Sequence, residues 1–400
     1  MALADETRVP GAPRNSALDW LYRREGRQII GQVLIVIILG AFLWMVVSNT
    51  IYNLQKQNIA SGFGFWDNTA GFDISQTLIP YSATSSYGHA FWVGLLNTLL
   101  VSVIGIVFAT IVGFSVGIAR LSNNWLVARL ATVYVEVARN VPLLLQLFVW
   151  YFAVLKNLPG PRDSIQLPGG SVLNVRGLSL PAPVPQSGAG MVLVAAIVGM
   201  VAMIALNVWA TRRQRETGQP FGRLLPSLAL LLGLPILAAA LMGFPFTFDY
   251  PVLRGFNFQG GIVVLPEFIA LLLGLVFYTG AFIAEIVRSG IQGVSRGQKE
   301  AARALGLTSG QMLKLVVIPQ AMRIIIPPLT SNYLNLTKNS SLGVAIAYPD
   351  LVSVFSGTVL NQTGQAIEVI SVTMLVYLTL SLSTSAFMNW FNSRMKLVER

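Results

Sequence analysis

Apolar runs of about twenty residues recur along the whole chain, each flanked by polar or basic residues. A helix needs about 20 such residues to cross about 30 Å of hydrocarbon, where every backbone polar group must be satisfied internally. Spans are expected near 29–49, 90–119, 128–155, 190–210, 223–243, 266–289, 323–345 and 367–391. The fold class is therefore an all-α polytopic membrane protein with about eight transmembrane helices. Composition agrees: 11% of residues are charged and the mean hydropathy is +0.66, against about 25% charged in soluble domains.

The net charge of +11 does not point to nucleic acid, because the basic residues sit in short clusters beside the apolar runs. These clusters are Arg23, Arg24 and Arg27; Arg120 and Arg129; Arg212, Arg213, Arg215 and Arg223; Arg288 through Arg323; and Arg394, Lys396 and Arg400. The positive-inside rule assigns all of them, and both termini, to the cytoplasm. The opposite loops carry only Lys56, then Lys156, Arg162 and Arg176, then Arg254. The run Ile29–Val47 is too long for a signal-peptide core and reads as an uncleaved anchor. Cysteine is absent and His89 is the single histidine, which argues against disulfides, thiol chemistry and a histidine metal site. The outer segments 51–89, 157–190 and 243–266 contain Pro181-Ala-Pro-Val-Pro185 and Gly169-Gly170, which favour turns and short extended pieces. They read either as connectors or as a partner-docking surface.

The most informative stretch lies between the sixth and seventh spans. Gln298–Leu305 reads as a short helix with Glu300 in its first turn, near the positive end of the macrodipole, and Gly306 as its terminator. Thr308 followed by Gln311 fits a capping box, so a second helix is expected over Ser309–Val317, stopping ahead of Pro319. Ala301, Ala302 and Ala304 would allow close approach of another protein.

Glu300-Ala301-Ala302, then Gly306, then Val316, Ile318 and Pro319 resemble the EAA signature of ABC importer permeases. The neighbouring Glu285-Ile-Val-Arg288-Ser-Gly290, Gly297-Gln298, Pro319-Gln320-Ala321, Lys338-Asn-Ser-Ser-Leu342 and the stretch Tyr134 to Phe148 resemble the polar amino acid branch of that family. Arg139-Asn140-Val141-Pro142 and Lys338-Asn339-Ser340-Ser341 look closest to general L-amino-acid and glutamate-type permeases. The resemblance covers 90–158 and 262–400, and implies a type I ABC importer (MetI-like) core in two parts. Segment 1–28 would be a cytoplasmic tail, 29–89 an anchor helix with an outer loop, 159–261 an insertion with two extra spans, and 289–322 the coupling loop. The loop would dock a cytoplasmic ATPase through Glu300, Ala301, Ala302, Gly306 and Pro319.

The resemblance further implies a non-catalytic subunit of the bacterial inner membrane. Its partners would be two cytoplasmic ATP-binding subunits, a second permease and a periplasmic amino-acid-binding protein. The extra helices and long outer loops point to a second permease of different sequence. No Gly-x-x-x-x-Gly-Lys-Ser/Thr loop is present, so this chain would bind no cofactor, with ATP and Mg on the ATPase.

A charge at a helix centre costs about 2.5–3.5 kcal/mol on insertion scales, so Glu136, Arg139, Glu285, Arg288 and Lys338 should face protein or water. Glu136 with Arg139, and Glu285 with Arg288, are three apart, a spacing that suits ion pairing as well as ligand contact. Candidates to line a path are Asn97, Thr98, Gln146, Glu285, Asn332, Asn335, Lys338, Ser340 and Ser341, around a seventh span expected to break at Pro327-Pro328. Lys338 could meet a substrate carboxylate and Glu285 an ammonium; interhelical bonding is the structural alternative for each. Broken helices and buried charges also occur in ion-gradient-driven secondary transporters, the competing class. A membrane enzyme ranks last, since Glu136 and Glu285 lack a companion set.

Overall fold

The computed structural model describes residues 24–56, 61–219 and 221–395; Arg23, Lys396, Arg400 and most of the expected N-terminal tail lie outside these. Helix α1 (Arg24–Lys56) is exposed along nearly its whole length. An ordered outer segment, 61–86, follows and folds onto the end of α2 (Tyr87–Ala119). There Trp66 packs on Phe91 and Phe91 on Phe355, each at 5.2 Å between ring centroids. Ser86 caps α2 by accepting from the His89 amide, satisfying one of the donors that a helix start leaves open.

Asn124 caps α3 (Trp125–Asn140) through the Leu126 and Val127 amides. The chain then breaks, correcting the expectation of one span over 128–155. Val141 is extended, as a residue before proline prefers, and Pro142 opens α4 (Leu143–Phe148), which runs on through a π turn and a 3₁₀ turn to Asn157. The two halves meet at 107°.

The insertion closes on itself. Strands β1 (Ile165–Leu167), β2 (Ser171–Asn174), β3 (Gly177–Leu180) and β4 (Ala182–Pro185) precede two apolar helices, α5 (Ala189–Thr217) and α6 (Leu224–Leu241). Strands β5 (Phe246–Asp249), β6 (Val252–Arg254), β7 (Asn257–Gln259) and β8 (Ile262–Val264) follow them. All pairing is antiparallel: β1-β2-β3-β8 form one sheet, β4 pairs with β5, and β6 with β7. Strands from before and after the helix pair thus join, and the helices form a hairpin on a β root. Inside that hairpin Asn207 donates to Ser227 at 3.2 Å, and Arg223 reaches Thr211 and Gln214. A Cβ at Gly199 would fall 2.3 Å from the Leu230 carbonyl oxygen, so only glycine allows the two backbones this approach.

The core lies between α2 and α7 (Pro266–Gln292). Their contact also depends on missing side chains: a Cβ at Gly113 would sit 2.4 Å from Ile283, and one at Gly117 2.7 Å from the Ala284 carbonyl oxygen. Leu147 from α4 and Ile325, Ile326 and Leu336 from the seventh span are fully buried in the same cluster.

After α7 come α8 (Arg296–Ala304) and α9 (Ser309–Met312), then a π turn over Leu313–Val317 that leads without interruption into α10 (Ile318–Asn339). The second loop helix therefore does not stop before Pro319. The π turn changes the hydrogen-bond register directly before Pro319, so the helix carries on past a residue that donates no amide. Nor does the span break at Pro327-Pro328, which lie inside α10. Two donors are lost there, but only acceptor carbonyls are left unpaired, which is the less costly defect. The break comes later, in a 3₁₀ segment over Ser340–Ile346 that ends on a left-handed Ala347. A π stretch (Val352–Val359), α11 (Leu360–Thr363) and α12 (Ala366–Met395) finish the described chain. Among the described residues, seven helices are long and apolar enough to span a membrane, eight when the bent α3–α4 pair counts as one.

Candidate functional site

At one end of the bundle the α8–α9 corner projects beyond α7 and α10. Helix α8 starts two residues earlier than expected, so Glu300 stands in its second turn and no acidic residue occupies the first. The corner itself is fixed by hydrogen bonds from the Leu307 amide to the Ala302 carbonyl (3.1 Å) and from the Gly306 amide to Arg303 (2.9 Å). This pairing needs a left-handed residue, and Gly306 supplies φ +75°. Thr308 and Gln311 form the expected reciprocal capping box. Ala302 is buried within the loop, contrary to its expected role in close approach, whereas Glu300, Ala301, Ala304 and Pro319 are exposed. Leu305 is 81% exposed. Gln320 of α10 donates to Gln298 of α8 at 3.3 Å, so the loop is tied back to the helix that follows it.

Close to this end the intramembrane charges gather on Arg120, the cap residue of α2, whose side chain is 9% exposed. Its guanidinium donates to Glu285 of α7 and lies 3.9 Å from Glu136 of α3. Arg288 holds the same Glu285 carboxylate from its own helix, through Nε (3.2 Å) and Nη2. The Glu285–Arg288 pair is therefore made, but Glu136 turns to Arg120 instead of Arg139. Arg139 stacks over the Phe282 ring at 5.1 Å.

The remaining polar residues separate into three groups. Asn97, Thr98 and Ser340 are fully buried. Asn97 donates to the carbonyls of Gln76 (2.9 Å) and Pro349 (2.8 Å), Thr98 accepts from the Leu351 amide (3.0 Å), and Ser340 donates to Thr337 (2.8 Å). These three hold backbone and line no open space. Gln146 bridges the α3–α4 bend by donating to the Ala138 (2.8 Å) and Val141 (3.0 Å) carbonyls, and it also borders an apolar cavity of about 560 Å³ with Tyr134, Trp150 and Phe277. Open space is found at two places on α10. Asn332 and Asn335, with Asn339, face Tyr278, Thr279 and Phe282 of α7 across a polar cavity of about 270 Å³. Lys338 and Ser341 line a separate cavity of about 420 Å³ against Thr373, Tyr377 and Ser381 of α12. Glu285 lines neither and its carboxylate is already held by two arginines.

Residues 221–397 match the family described as binding-protein-dependent transport system inner membrane component. The chain is 56% identical over 380 residues to the general L-amino acid transport system permease protein AapQ of Rhizobium johnstonii, covering 95% of both chains. It is 52% identical over 384 residues to the putative amino-acid ABC transporter permease protein YhdX of Escherichia coli, again covering 95% of both. A third relative, the glutamate/glutamine/aspartate/asparagine transport system permease protein BztB of Rhodobacter capsulatus, is 42% identical over 431 residues, with all of both chains covered. The chain belongs to the binding-protein-dependent transport permeases. Membership leaves the gradient-driven carrier without support.

In this permease the sequence brought out the two-helix corner at α8–α9 but missed three features. Arg120 was visible only as a topology charge, although its place directly after the Gly113 and Gly117 contacts with α7 puts it beside Glu285. Asn339 continues the 332, 335 spacing on one helix face, a signal that could have found it. Asp350 follows the 3₁₀ segment and is fully buried; its carboxylate accepts from the Ser353 amide at 2.8 Å and from the Tyr377 hydroxyl at 3.4 Å. Burial pushes this carboxyl up to about 7, against the opposing pull of those hydrogen bonds.

Proposed function

We propose that this permease is the membrane subunit of an ATP-driven importer of general L-amino acids, including those with polar and acidic side chains. The observation that carries the reading is end-to-end similarity, insertion included, to permeases named for that substrate class. In the proposed assembly two ATP-binding subunits grip the exposed corner at Glu300, Ala301, Gly306 and Pro319. A second, non-identical permease completes the pathway, and a periplasmic binding protein delivers the substrate on the opposite face. Both termini and the corner face the cytoplasm, as the basic clusters favour, and the chain resides in a bacterial inner membrane. ATP and Mg bind to the partner.

Within the permease, the cavity bordered by Asn332, Asn335 and Asn339 and the one bordered by Lys338 and Ser341 are the surfaces on which a substrate would move. Uncharged amides suit polar groups of either sign, and Lys338 suits a carboxylate. Asn97, Thr98, Gln146, Ser340 and Glu285 support these surfaces.

The test is to purify the tagged chain from its native membrane in mild detergent and identify every polypeptide recovered with it. A stoichiometric ATPase and a second permease are expected, and replacing Glu300 and Gly306 should release the ATPase alone. Recovery of the chain by itself, with uptake intact in ATP-free vesicles, would refute the reading.

A further inference from the structure

The insertion places an uncovered apolar face directly beside the ends of two spanning helices. In the β4–β5 ribbon Pro183 is paired with Phe248 and Pro185 with Phe246. Paired residues share a face and successive ones alternate, so these four side chains lie on one side and Ala182, Val184, Thr247 and Asp249 on the other. All four of the first set are exposed, Phe248 to 55%. The second side is exposed too, at Val184, Thr247 and Asp249, but it carries polar groups and these are engaged: Asp249 accepts from the Gly261 amide and Thr247 accepts from Gln186, each at 2.9 Å. The apolar side bears no charge and no hydrogen-bonding side chain.

Chain geometry shows what medium this side meets. Only residues 186–188 separate β4 from α5, and only 242–245 separate α6 from β5. Three extended residues reach at most about 10 Å, and the headgroup layer is about 5–7 Å thick on each side. The root of the ribbon therefore starts in that layer or within a few ångströms of its outer edge. The chain also leaves α6 by a sharp turn, with Gly243 at φ +69° and Phe244 at φ +52°. A bulky aromatic residue in the left-handed region, placed before a proline, is a conformation the local sequence disfavours. It turns β5 away from the axis of α6 and leaves Phe244 65% exposed at the helix end. Such a conformation persists where its surroundings hold it.

We propose that the β4–β5 ribbon is a membrane-interface element. Its Pro183, Pro185, Phe246 and Phe248 face, with Phe244, rests among the lipid headgroups of the leaflet opposite the α8–α9 corner. Aromatic rings are favoured at that depth, and the bilayer is continuous with the surface that α5 and α6 already occupy. The ribbon then helps to set the depth of the inserted hairpin, alongside the β3–β8 pairing that ties the insertion to α7.

The chain contains no cysteine, so one introduced thiol adds one labelled position to the signal of the unsubstituted assembly, which is labelled in parallel and subtracted. Phe248→Cys and Thr247→Cys, on opposite sides of the ribbon, are each labelled with bimane in the full assembly in lipid nanodiscs. They are then challenged with headgroup-nitroxide lipid and with aqueous iodide. The label at 248 is expected to lose at least half its emission to the nitroxide lipid and little to iodide, and the label at 247 the reverse. Phe246→Cys gives the same readout should Phe248→Cys fail to assemble. Equal iodide quenching at 247 and 248 with no effect of nitroxide lipid would overturn the proposal. So would iodide access at 248 that closes only when substrate-loaded binding protein is added, because the face would then belong to a protein partner.

Discussion

Arg120 shows how much can rest on one side chain. Buried at the end of α2, it joins Glu285 of α7 and Glu136 of α3. Removing one partner of such a cluster leaves uncompensated charge in a site of low polarity, typically a loss of about 3 kcal/mol where the pair is buried. Part of that is screened here, since the Glu285 side chain is 26% and that of Glu136 57% exposed. Arg120→Met should therefore destabilise the detergent-solubilised complex by about 1–2 kcal/mol, and Arg120→Lys by less, as measured by thermal unfolding. Melting of Arg120→Met indistinguishable from the parent would deny the cluster that role. Asp350 gives a prediction with a definite sign. Its folded-state pKa is raised from 3.8 to about 7 by burial, so the unfolded chain ionises first and stability falls as pH rises from about 4 to about 7. Asp350→Asn, which keeps an acceptor for the Ser353 amide, should therefore gain stability relative to the parent as pH rises through that window, read as the difference between the two melting temperatures. The sequence displays these residues but not their partners. Asn97 and Asn335 are equally polar in the sequence, yet one is spent on backbone carbonyls and the other borders a cavity. Only the packing of distant segments distinguishes them.

At the scale of elements, the α8–α9 corner was legible because its signals are local. A capping box, a left-handed glycine and an amide-to-carbonyl closure all lie within twelve consecutive residues, 300–311. Gly306→Ala should cost about 1 kcal/mol of local stability. Gly306→Trp adds bulk at the exposed corner; membrane insertion should survive and substrate-stimulated ATP hydrolysis by the purified complex should disappear. Undiminished stimulation in that variant would dissociate the corner from coupling. The helix ends were less legible. The break at Val141-Pro142 is hidden inside a continuous apolar run, and Pro319, Pro327 and Pro328 are accommodated by a π turn and unpaired carbonyls that no local rule announces. Strands of three or four residues that pair across some eighty intervening residues, as β3 does with β8, leave no periodic trace at all.

For the whole molecule, the position of each span was legible because bilayer thickness fixes the length of an apolar run. The relation of the insertion to the core was not, and it supports a larger-scale prediction. Leu180 and Ile262 are paired neighbours in one sheet, so residues 181–261 can be replaced by a two-residue Asn-Gly turn without moving the ends of the core. The shortened chain should insert in the membrane and still co-purify with the proposed ATPase; loss of both would mean that the hairpin is needed to build the core. Finally, the continuous helical stretch Ser309–Ile346 spans 38 residues, roughly 57 Å at 1.5 Å per residue. Such a rod is a lever with its fulcrum where Gly290 meets Ile325. A tilt of about 10° about its middle would swing each end by about 5 Å. Asn332, Asn335 and Lys338 ride on the long arm, past the π turn at 313–317 and ahead of the 3₁₀ segment that begins at Ser340, so if an ATPase docks at the corner as proposed, its push would reach them along one uninterrupted helical backbone.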